Sequence, residues 1–333
     1  MTAYLKAIAY YLPSTTLSNQ ALIEEFPEWS IEKIANKIGV SERRIAASDE
    51  FCSDMAVKAA NKLFDEHRID RTEIDFLLLC TQSPDYILPT TACIIQEKLG
   101  LPTSVGALDF NLGCSGFVYG LSLAKGLIAG NMAKNVLLIT SDTYSKIIHP
   151  KDKGNRTIFG DAAAAALVTR DEGLLCIDNF IFGTDGRGAE NLIVKNGGSR
   201  NRNITASDTS DEFGNTSNDN NLFMNGAEIF NFTSESVPLL TSAILKKAGI
   251  GINDIDLFVF HQANAYMLEH LRKKIAIPEN KFFLAMNHCG NTVSSSIPIA
   301  LSEAIYRKKI SKTSKVLLAG FGVGYSWAGC TLS

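Results

Sequence analysis

The pattern of apolar and polar positions predicts a chain in which short strands alternate with longer helices. Six compact apolar runs are typical of buried strands: FLLLC, VGALDF and NVLLIT in the first half, and LFVF, FFLAM and KVLLAG in the second. Segments near 90–99, 115–130, 262–275 and 295–308 have the periodicity of helices. Because the strand runs are apolar on both faces, we expect central strands covered by helices on each side. The pattern therefore predicts an α/β protein.

The two halves of the chain also resemble each other. EIDFLLLCTQS at 73–83 matches DIDLFVFHQAN at 254–264, and KNVLLITSDTYS at 134–145 matches SKVLLAGFGVGYS at 314–326. A third pair begins at Ser115 and Ser295, and all three pairs are offset by about 180 residues. A constant offset predicts an internal duplication. We expect two sheets in a layered, pseudo-twofold arrangement.

A polar segment near the middle suggests where the halves join. Residues 196–221 are rich in Asn, Ser, Thr, Asp and Gly, which is a composition typical of loops. We predict an N-terminal half over 1–180, a polar connecting segment over 181–222 and a C-terminal half over 223–333. The polar stretch is interpreted either as a mobile linker or as a flap over a substrate entrance.

Composition excludes several classes of protein. The 333 residues are 46% apolar and 20% charged, which is typical of a globular chain, and the net charge of −3 argues against nucleic-acid binding. No apolar run approaches the roughly 18 residues that span a bilayer, so no membrane insertion is expected. We interpret the first 19 residues as a strand and a turn rather than a signal peptide. Seven scattered cysteines without a CxxC pair predict a reduced, cytoplasmic protein with no metal site.

Cys114 is the strongest candidate nucleophile. In ALDFNLGCSGFVYGL it follows an apolar strand and a glycine turn, and it stands at the start of a helix. Because a helix N-terminus favours negative charge, we expect a lowered thiol pKa and a reactive thiolate. The alternative is a buried structural cysteine, which is the common fate of a free cysteine.

His261 and Asn291 are candidate partners from the second half. His261, in DLFVFHQANAYM, lies between a strand and a helix, at the kind of sheet edge where ligands collect. Asn291, in NHCGNTVSSSIPIAL, occupies the turn that the repeat equates with the Cys114 turn. Its amide could donate a hydrogen bond to a developing oxyanion, although Asn before Thr is also typical of a turn or helix cap. The duplication predicts that the three side chains converge, an arrangement suited to thioester chemistry.

A glycine-rich turn precedes the last strand. AGFGVGYSW at 319–327 could add a backbone N–H to an oxyanion hole. It lacks the Lys-Ser/Thr ending of a phosphate-binding loop, so nucleotide binding is not expected.

With these residues identified, the sequence resembles the thiolase superfamily and, within it, the beta-ketoacyl-acyl-carrier-protein synthase III family. The matching motifs run nearly from end to end: IGVSERRIA at 38–46, GCSGF, IFGDAAAA at 158–165, FHQAN at 260–264, HCGNTVSSSIP at 288–298 and GFGVGYSW. The resemblance implies a thiolase-like, five-layered α-β-α-β-α fold with internal duplication, a homodimer, and a catalytic triad of Cys114, His261 and Asn291.

The implied reaction is a decarboxylative Claisen condensation. Cys114 would take an acyl group from acyl-CoA or an acyl carrier, and malonyl-acyl-carrier-protein would then condense with it to give a 3-oxoacyl chain. The backbone N–H groups of Cys114 and Val323 would form the oxyanion hole. No cofactor is expected beyond the CoA or carrier thioesters themselves.

The resemblance also implies positions for substrate and partner contacts. Lys37 and Lys153 stand where arginines clamp CoA in the family, and because lysine is a point charge, an acyl-carrier donor remains an alternative. Leu88, in DYILPTTA, matches the residue with which a dimer partner caps the acyl pocket. The further expected contacts are Phe230, Asn264 and Phe321 for substrate, and the basic cluster Arg272, Lys273 and Lys274 for an acidic carrier protein. The cluster could equally be a solvated helix face.

Three other functions remain open at this stage. A hydroxymethylglutaryl-CoA synthase would need a carboxylate base where this sequence has Gln82, and an amide cannot accept that proton. Acyl transfer from Cys114 to a hydroxyl or amine would need no condensation. A non-catalytic acyl-binding partner is a third alternative, against which the intact Cys, His and Asn argue.

Overall fold

The computed structural model describes residues 2–202, 204–211 and 214–333 of the chain. The strands are β1 (Tyr4–Tyr11), β2 (Thr15–Ser18), β3 (Glu42–Ile45), β4 (Phe76–Cys80), β5 (Gly106–Phe110), β6 (Asn135–Asp142), β7 (Ala162–Thr169), β8 (Leu175–Thr184), β9 (Leu192–Ile193), β10 (Thr209–Ser210), β11 (Thr216–Ser217), β12 (Phe223–Met224), β13 (Leu257–Phe260), β14 (Val316–Gly322) and β15 (Ser326–Leu332). The α-helices are α1 (Asn19–Glu25), α2 (Ile31–Ile38), α3 (Cys52–His67), α4 (Thr91–Lys98), α5 (Gly116–Ala129), α6 (Lys153–Arg156), α7 (Gly226–Ala248), α8 (Ala265–Ile275) and α9 (Ser296–Tyr306).

The strands that matter for the site belong to one mixed sheet. Its order is β13-β14-β15-β8-β1-β7-β6-β4-β5. The pairs β4–β5, β4–β6 and β13–β14 are parallel, and the other pairs are antiparallel. Only two residue pairs, Tyr4 with Cys176 and Leu5 with Leu175, join β1 to β8. The two predicted sheets therefore meet along one short edge.

The predicted duplication is confirmed strand by strand. In the first half the order β1-β7-β6-β4 ends with two parallel strands, and in the second half β8-β15-β14-β13 does the same. Helix α5 precedes β6 as α9 precedes β14, and both helices begin one residue from the positions expected from the sequence. The chain is thus an α/β protein built from two similar halves.

Alternating side chains on the strands separate the layers. On β4, Leu77 and Leu79 pack with α3, whereas Leu78 between them packs with α5. Helices α5 and α9 share one core with strands of both halves, and α7 and α8 cover the far face of β13 and β14. The resulting order of helices, strands, helices, strands, helices confirms the five layers.

The prediction that FFLAM forms a strand is wrong, because this segment makes only one isolated β-bridge. Only Phe282 pairs with β13, opposite Phe258. Beyond it, the side chain of Gln262 takes over the backbone partners: its amide donates to the Phe283 carbonyl at 3.3 Å and accepts from the Ala285 N–H at 2.8 Å. A side-chain amide therefore replaces the neighbouring strand, which an apolar pattern does not reveal.

The polar stretch at 196–221 folds back on the protein in its described part, whereas residues 203, 212 and 213 lie outside the described residues. Strands β9 and β12 pair at its base, and β10 pairs with β11 within it. The Leu222 N–H donates to the Ile147 carbonyl at 2.8 Å, and the Thr216 N–H donates to the Lys151 carbonyl at 3.3 Å. These contacts favour the flap interpretation over a free linker; the boundaries 181–222 stay a prediction.

Two properties of the described residues concern membranes and metals. None of the described helices is long and apolar enough to cross a membrane. Within the same residues there is no group of three or more His, Cys, Asp or Glu side chains that could hold a metal ion.

Candidate active site

Cys114 lies in the turn between β5 and α5, next to the end of β14. A Cβ atom placed on Gly322 would come within 3.0 Å of the Cys114 sulfur and 2.9 Å of its Cβ. A Cβ on Gly320 would come within 2.8 Å of the Cys114 carbonyl oxygen. Glycines on β14 thus allow the second half of the chain to contact the Cys114 turn of the first half.

The electrostatic setting of Cys114 differs from the sequence prediction. The residue is 7% exposed. Burial, with a smaller contribution from the Asp142 carboxylate, raises the pKa of Cys114 to about 12. The expectation of a lowered pKa from the helix N-terminus is therefore wrong, because loss of hydration outweighs the helix end. At neutral pH the resting group is a thiol.

His261 directly follows β13 and is 2% exposed. Its backbone N–H donates to the carbonyl of Ala319, in the middle of β14, at 2.8 Å, and this bond fixes the residue to that strand. Its ring packs edge-on to Phe321, with 5.5 Å between the ring centres. Burial lowers the pKa of His261 to about 3, so the imidazole is neutral.

Asn291 lies in a loop that bridges to Phe159. Its side-chain oxygen accepts the Val293 N–H at 3.0 Å, which turns the Nδ2 end toward His261. Nδ2 lies 3.5 Å from His261 Nε2. Gly290, with φ of +77°, precedes Asn291 in a left-handed conformation that glycine adopts without strain.

The three side chains meet at one cavity of about 140 Å³. Its lining combines Cys114, His261 and Asn291 with an apolar wall that includes Phe159, Leu192, Met224, Ile229, Met267 and Phe321. Leu192 on β9 and Met224 on β12 face each other in the strand pair at the base of the polar segment. An apolar wall lowers the local dielectric, which strengthens any hydrogen bond made to a substrate oxygen inside.

Sequence reasoning missed a buried carboxyl beneath the site. Asp142, at the end of β6, accepts the Gln82 N–H at 2.8 Å and the Ser294 hydroxyl. It thereby links the Gln82 loop, which touches Gly113, to the loop that follows Asn291. Burial raises the pKa of Asp142 to about 7. The sequence signal that could have identified it is an aspartate two residues after the apolar run VLLIT, at the end of a strand in which every residue is buried.

Sequence reasoning also missed Thr233 on α7. It lines the cavity, is 1% exposed, and has a hydroxyl without a hydrogen-bond partner among the described residues. Thr241 on the same helix instead donates to the Val237 carbonyl at 2.9 Å. Thr233 therefore offers the cavity a buried hydroxyl that the protein does not use.

The predicted substrate residues divide into two groups. Asn264 and Phe321 line the cavity. Phe230 is absent from the described lining and packs against Tyr266 and His270 on α8. Val323 lies beside Gly113, and its backbone role in an oxyanion hole stays a prediction.

The predicted clamp and cap residues lie outside the cavity lining. Lys37 is exposed on α2. Lys153 forms an ion pair with Glu28, so its charge is already neutralised. Leu88 is 83% exposed, in the loop before α4.

The predicted carrier-docking cluster lies at the end of α8. Arg272 donates from Nε and Nη2 to the Glu269 carboxylate, at 2.8 and 2.6 Å, and from Nη1 to the Ile277 carbonyl at 3.2 Å. Lys273 and Lys274 are exposed, although Lys273 Nζ lies 3.2 Å from the Glu269 carboxylate and Lys274 Nζ donates to the Ser234 hydroxyl at 3.0 Å. Two of the three cations therefore face solvent, and the arginine is committed to the protein.

Comparison with known proteins identifies what the chain is similar to. The model of the 3-oxoacyl-[acyl-carrier-protein] synthase III family matches residues 108–186, which include Cys114, and its C-terminal counterpart matches 245–333, which include His261 and Asn291. Beta-ketoacyl-[acyl-carrier-protein] synthase III of Caldanaerobacter subterraneus is 36% identical over 97% of this chain and 95% of its own length.

Solved structures agree with this similarity. A 2.1 Å crystal structure of a 3-oxoacyl-(acyl-carrier-protein) synthase III is 50% identical with a TM-score of 0.97, and covers 100% of this chain and 99% of its own. A 3-oxoacyl-(acyl-carrier protein) synthase from Burkholderia xenovorans is 36% identical with a TM-score of 0.90, over 100% of this chain and 94% of its own. The thiolase-like fold implied by the sequence motifs is thereby confirmed.

Proposed function

The chain belongs to the beta-ketoacyl-acyl-carrier-protein synthase III family, and from this we propose how its own residues carry out the reaction. It is a transferase of fatty acid biosynthesis that condenses an acyl thioester with malonyl-acyl-carrier-protein. The observation that supports the residue assignment is that Cys114, His261 and Asn291 line one buried cavity.

In the first half-reaction Cys114 becomes acylated. Its sulfur attacks the donor thioester carbonyl, the bond between that carbonyl and the donor sulfur breaks, and the thiol proton ends on the leaving thiol. Because burial raises the pKa of Cys114 to about 12, a free thiolate does not accumulate beforehand, and proton loss accompanies the transfer. The backbone N–H groups of Cys114 and Val323 are proposed to hold the transient oxyanion.

In the second half-reaction the malonyl group loses carbon dioxide. The electrons of the broken carbon–carbon bond form an enolate whose oxygen is held by the N–H donors of His261 and Asn291. The enolate carbon then attacks the acyl-Cys114 carbonyl, and the sulfur leaves and takes a proton from solvent. Donors aimed at an oxyanion contribute about 10²- to 10³-fold each in enzymes of this kind of chemistry.

We propose that the thioesters are the only reactants and that no cofactor is needed. The one group that a rival synthase would need, a carboxylate base beside the nucleophile, is replaced by Gln82. Its carbonyl oxygen accepts the Tyr144 hydroxyl at 2.6 Å, so the amide is held in place and cannot act as a base.

The acyl donor is proposed to be either acyl-CoA or an acyl carrier protein. Substitution of Lys153 is proposed to distinguish between these two donors. Binding a CoA phosphate at Lys153 would have to displace Glu28. We therefore expect Lys153→Ala to raise KM for an acyl-CoA donor without changing KM for the acyl-carrier donor, and Lys151→Ala to serve as the control. Equal effects on both donors would remove Lys153 from this role.

A homodimer is proposed from two surface features. Strand β5 ends the sheet order, so its outer edge has no partner among the described strands. Nearby in sequence, Tyr86, Ile87 and Leu88 are 62, 88 and 83% exposed and form an apolar loop. An unpaired edge and an exposed apolar loop are both features that a second copy of the chain would cover.

The cytoplasmic location stays a proposal. All seven cysteines lie in the described residues and are free, which supports a reducing compartment. The carrier-docking role of Lys273 and Lys274 likewise stays a proposal, supported by their exposure at the end of α8.

The direct test combines intact-mass spectrometry with carbon dioxide release. Incubation with acetyl-CoA is expected to add one acetyl group, located on Cys114 by peptide mapping. Addition of malonyl-acyl-carrier-protein is then expected to release one carbon dioxide per 3-oxoacyl product. Transfer to a hydroxyl or amine would remove the adduct without carbon dioxide.

A matched pair of variants controls this test. Cys114→Ala is expected to lose the adduct. Cys330→Ala, a fully buried cysteine of β15 outside the cavity lining, is expected to keep it. An adduct that survives in Cys114→Ala would place the nucleophile elsewhere.

A further inference from the structure

The hydroxyl of Ser296 lies behind the ring of His261. Ser296 is the first residue of α9 and is 2% exposed. Its Oγ lies 2.7 Å from His261 Nδ1, on the side of the ring away from Asn291. It also receives the Gln262 N–H at 3.4 Å. The buried hydroxyl therefore has two hydrogen-bond partners, His261 Nδ1 and the Gln262 backbone N–H.

Proton counting decides which partner donates. A serine hydroxyl has one proton to donate and two lone pairs that accept. The Gln262 N–H uses one lone pair, and among the described residues His261 Nδ1 is the only other atom hydrogen-bonded to the hydroxyl. If Nδ1 carried a proton and donated it, the buried hydroxyl proton would have no acceptor. The hydroxyl proton therefore points at Nδ1. A neutral imidazole that accepts at Nδ1 carries its own proton on Nε2.

This tautomer changes the meaning of the contact between His261 and Asn291. Asn291 Nδ2 is a donor because Oδ1 is occupied by the Val293 N–H. Two N–H donors 3.5 Å apart do not bond each other. An oxygen at the ordinary distance of about 2.9 Å from each nitrogen can accept both. The pair is thus an arrangement for holding one substrate oxygen.

We propose that Ser296 is a positioning residue that holds neutral His261 in its Nε2–H tautomer, so that His261 and Asn291 donate together to the malonyl thioester oxygen. The tautomer itself follows from the protein's own hydrogen bonds. Only the identity of the oxygen rests on the proposed function. A corollary is that His261 Nε2, already protonated, is not the base that takes the proton of Cys114.

The tautomer can be measured without any substrate. A long-range ¹H–¹⁵N correlation spectrum of ¹⁵N-histidine-labelled protein distinguishes the two neutral tautomers. The chain has five histidines, and His261→Asn identifies the relevant signals by their loss. We expect Nε2 to carry the proton in the wild type, and a proton on Nδ1 would overturn the proposal outright.

Variants then test the functional consequence. Ser296→Ala removes the donor to Nδ1, and Ser296→Thr restores a hydroxyl. Ser295→Ala is the matched control: Ser295 is buried in the same turn, but its hydroxyl donates to the Thr140 carbonyl at 3.1 Å and does not contact His261. Each variant is assayed with acetyl-CoA for acylation and with malonyl-acyl-carrier-protein for carbon dioxide release.

The expected pattern separates the two half-reactions. Ser296→Ala should acylate Cys114 within about three-fold of the wild-type rate but lose up to about 10²- to 10³-fold in carbon dioxide release, the effect of losing one oxyanion donor. Ser296→Thr should recover most of that loss, and Ser295→Ala should lose less than Ser296→Ala. Equal losses in Ser296→Ala and Ser295→Ala, or equal loss of both half-reactions, would refute the positioning role.

Failure of the proposed function would look different. A wild type that releases no carbon dioxide from malonyl-acyl-carrier-protein refutes condensation, whereas the spectrum still decides the tautomer. If Ser296→Ala does not fold, the wild-type spectrum and the Ser296→Thr rates remain to support or overturn the proposal.

Discussion

Gly322→Ala is the substitution that most directly tests how closely the two halves of the chain meet at Cys114. The added methyl group would lie 3.0 Å from the Cys114 sulfur and 2.9 Å from its Cβ, where ordinary carbon contacts are about 3.5 Å or longer. Gly322 has no positive φ, so the effect is steric rather than conformational. The sulfur must move by roughly half an ångström or more, or β14 must separate from the turn.

Both responses have measurable consequences. Overpacking of this kind costs about 1–3 kcal/mol of unfolding free energy. Misplacement of a reacting atom by about 1 Å can cost about 10²-fold in rate. We therefore expect urea denaturation to show a loss in that range, and intact-mass spectrometry to show acylation of Cys114 by acetyl-CoA slowed by at least ten-fold.

Gly126→Ala provides the control for Gly322→Ala. Gly126 lies on the exposed side of α5, the same helix that Cys114 precedes, and a Cβ there would meet nothing within 4 Å. Because glycine is disfavoured in helix interiors, this variant should gain about 0.5–1 kcal/mol and acylate normally. Gly322→Ala with wild-type acylation and wild-type stability would show that β14 and the Cys114 turn are not in the contact described.

Two further predictions concern the buried carboxyl and the proposed dimer. Burial raises the pKa of Asp142 from 3.8 to about 7, so the folded state holds its proton more tightly than the unfolded state, and stability falls as pH rises between these values. The unfolding free energy of the wild type relative to Asp142→Asn should therefore decline by about 3 kcal/mol from pH 4 to pH 7 and level off about one pH unit higher, and a difference that does not change with pH would refute the assignment. Ile87→Glu should shift the sedimentation coefficient from dimer to monomer, whereas Tyr306→Glu, at a residue 85% exposed on α9, should not; a wild-type monomer would refute the proposed dimer.

The sequence pattern was sufficient for the parts of the fold that depend on local periodicity and repetition. The strands β4, β6, β13 and β14 form where apolar runs occur, because such runs are stable only between two helical layers. The constant offset between the halves predicted that their strand ends would converge. Cys114, His261 and Asn291 do line one cavity, although their catalytic roles stay predictions until they are measured.

What the pattern could not provide depends on contacts between distant parts of the chain. The pKa of Cys114 is decided by the depth of its burial, not by the helix that follows it. Glu28 neutralises Lys153 from 125 positions away in the chain. Gln262 replaces a predicted strand with side-chain hydrogen bonds, and Ser296 reaches His261 from another helix. None of these contacts produces a periodic pattern of apolar and polar residues from which it could be predicted.

The central claim is that Cys114 carries the acyl group while His261 and Asn291 hold the oxygen of the other substrate. The measurement that tests it most directly is a comparison of both half-reactions in His261→Ala and Asn291→Ala. We predict that each variant acquires the acetyl adduct on Cys114 at close to the wild-type rate, yet releases carbon dioxide from malonyl-acyl-carrier-protein about 10²- to 10³-fold more slowly. Full-rate carbon dioxide release in either variant, or loss of the adduct in both, would contradict the account.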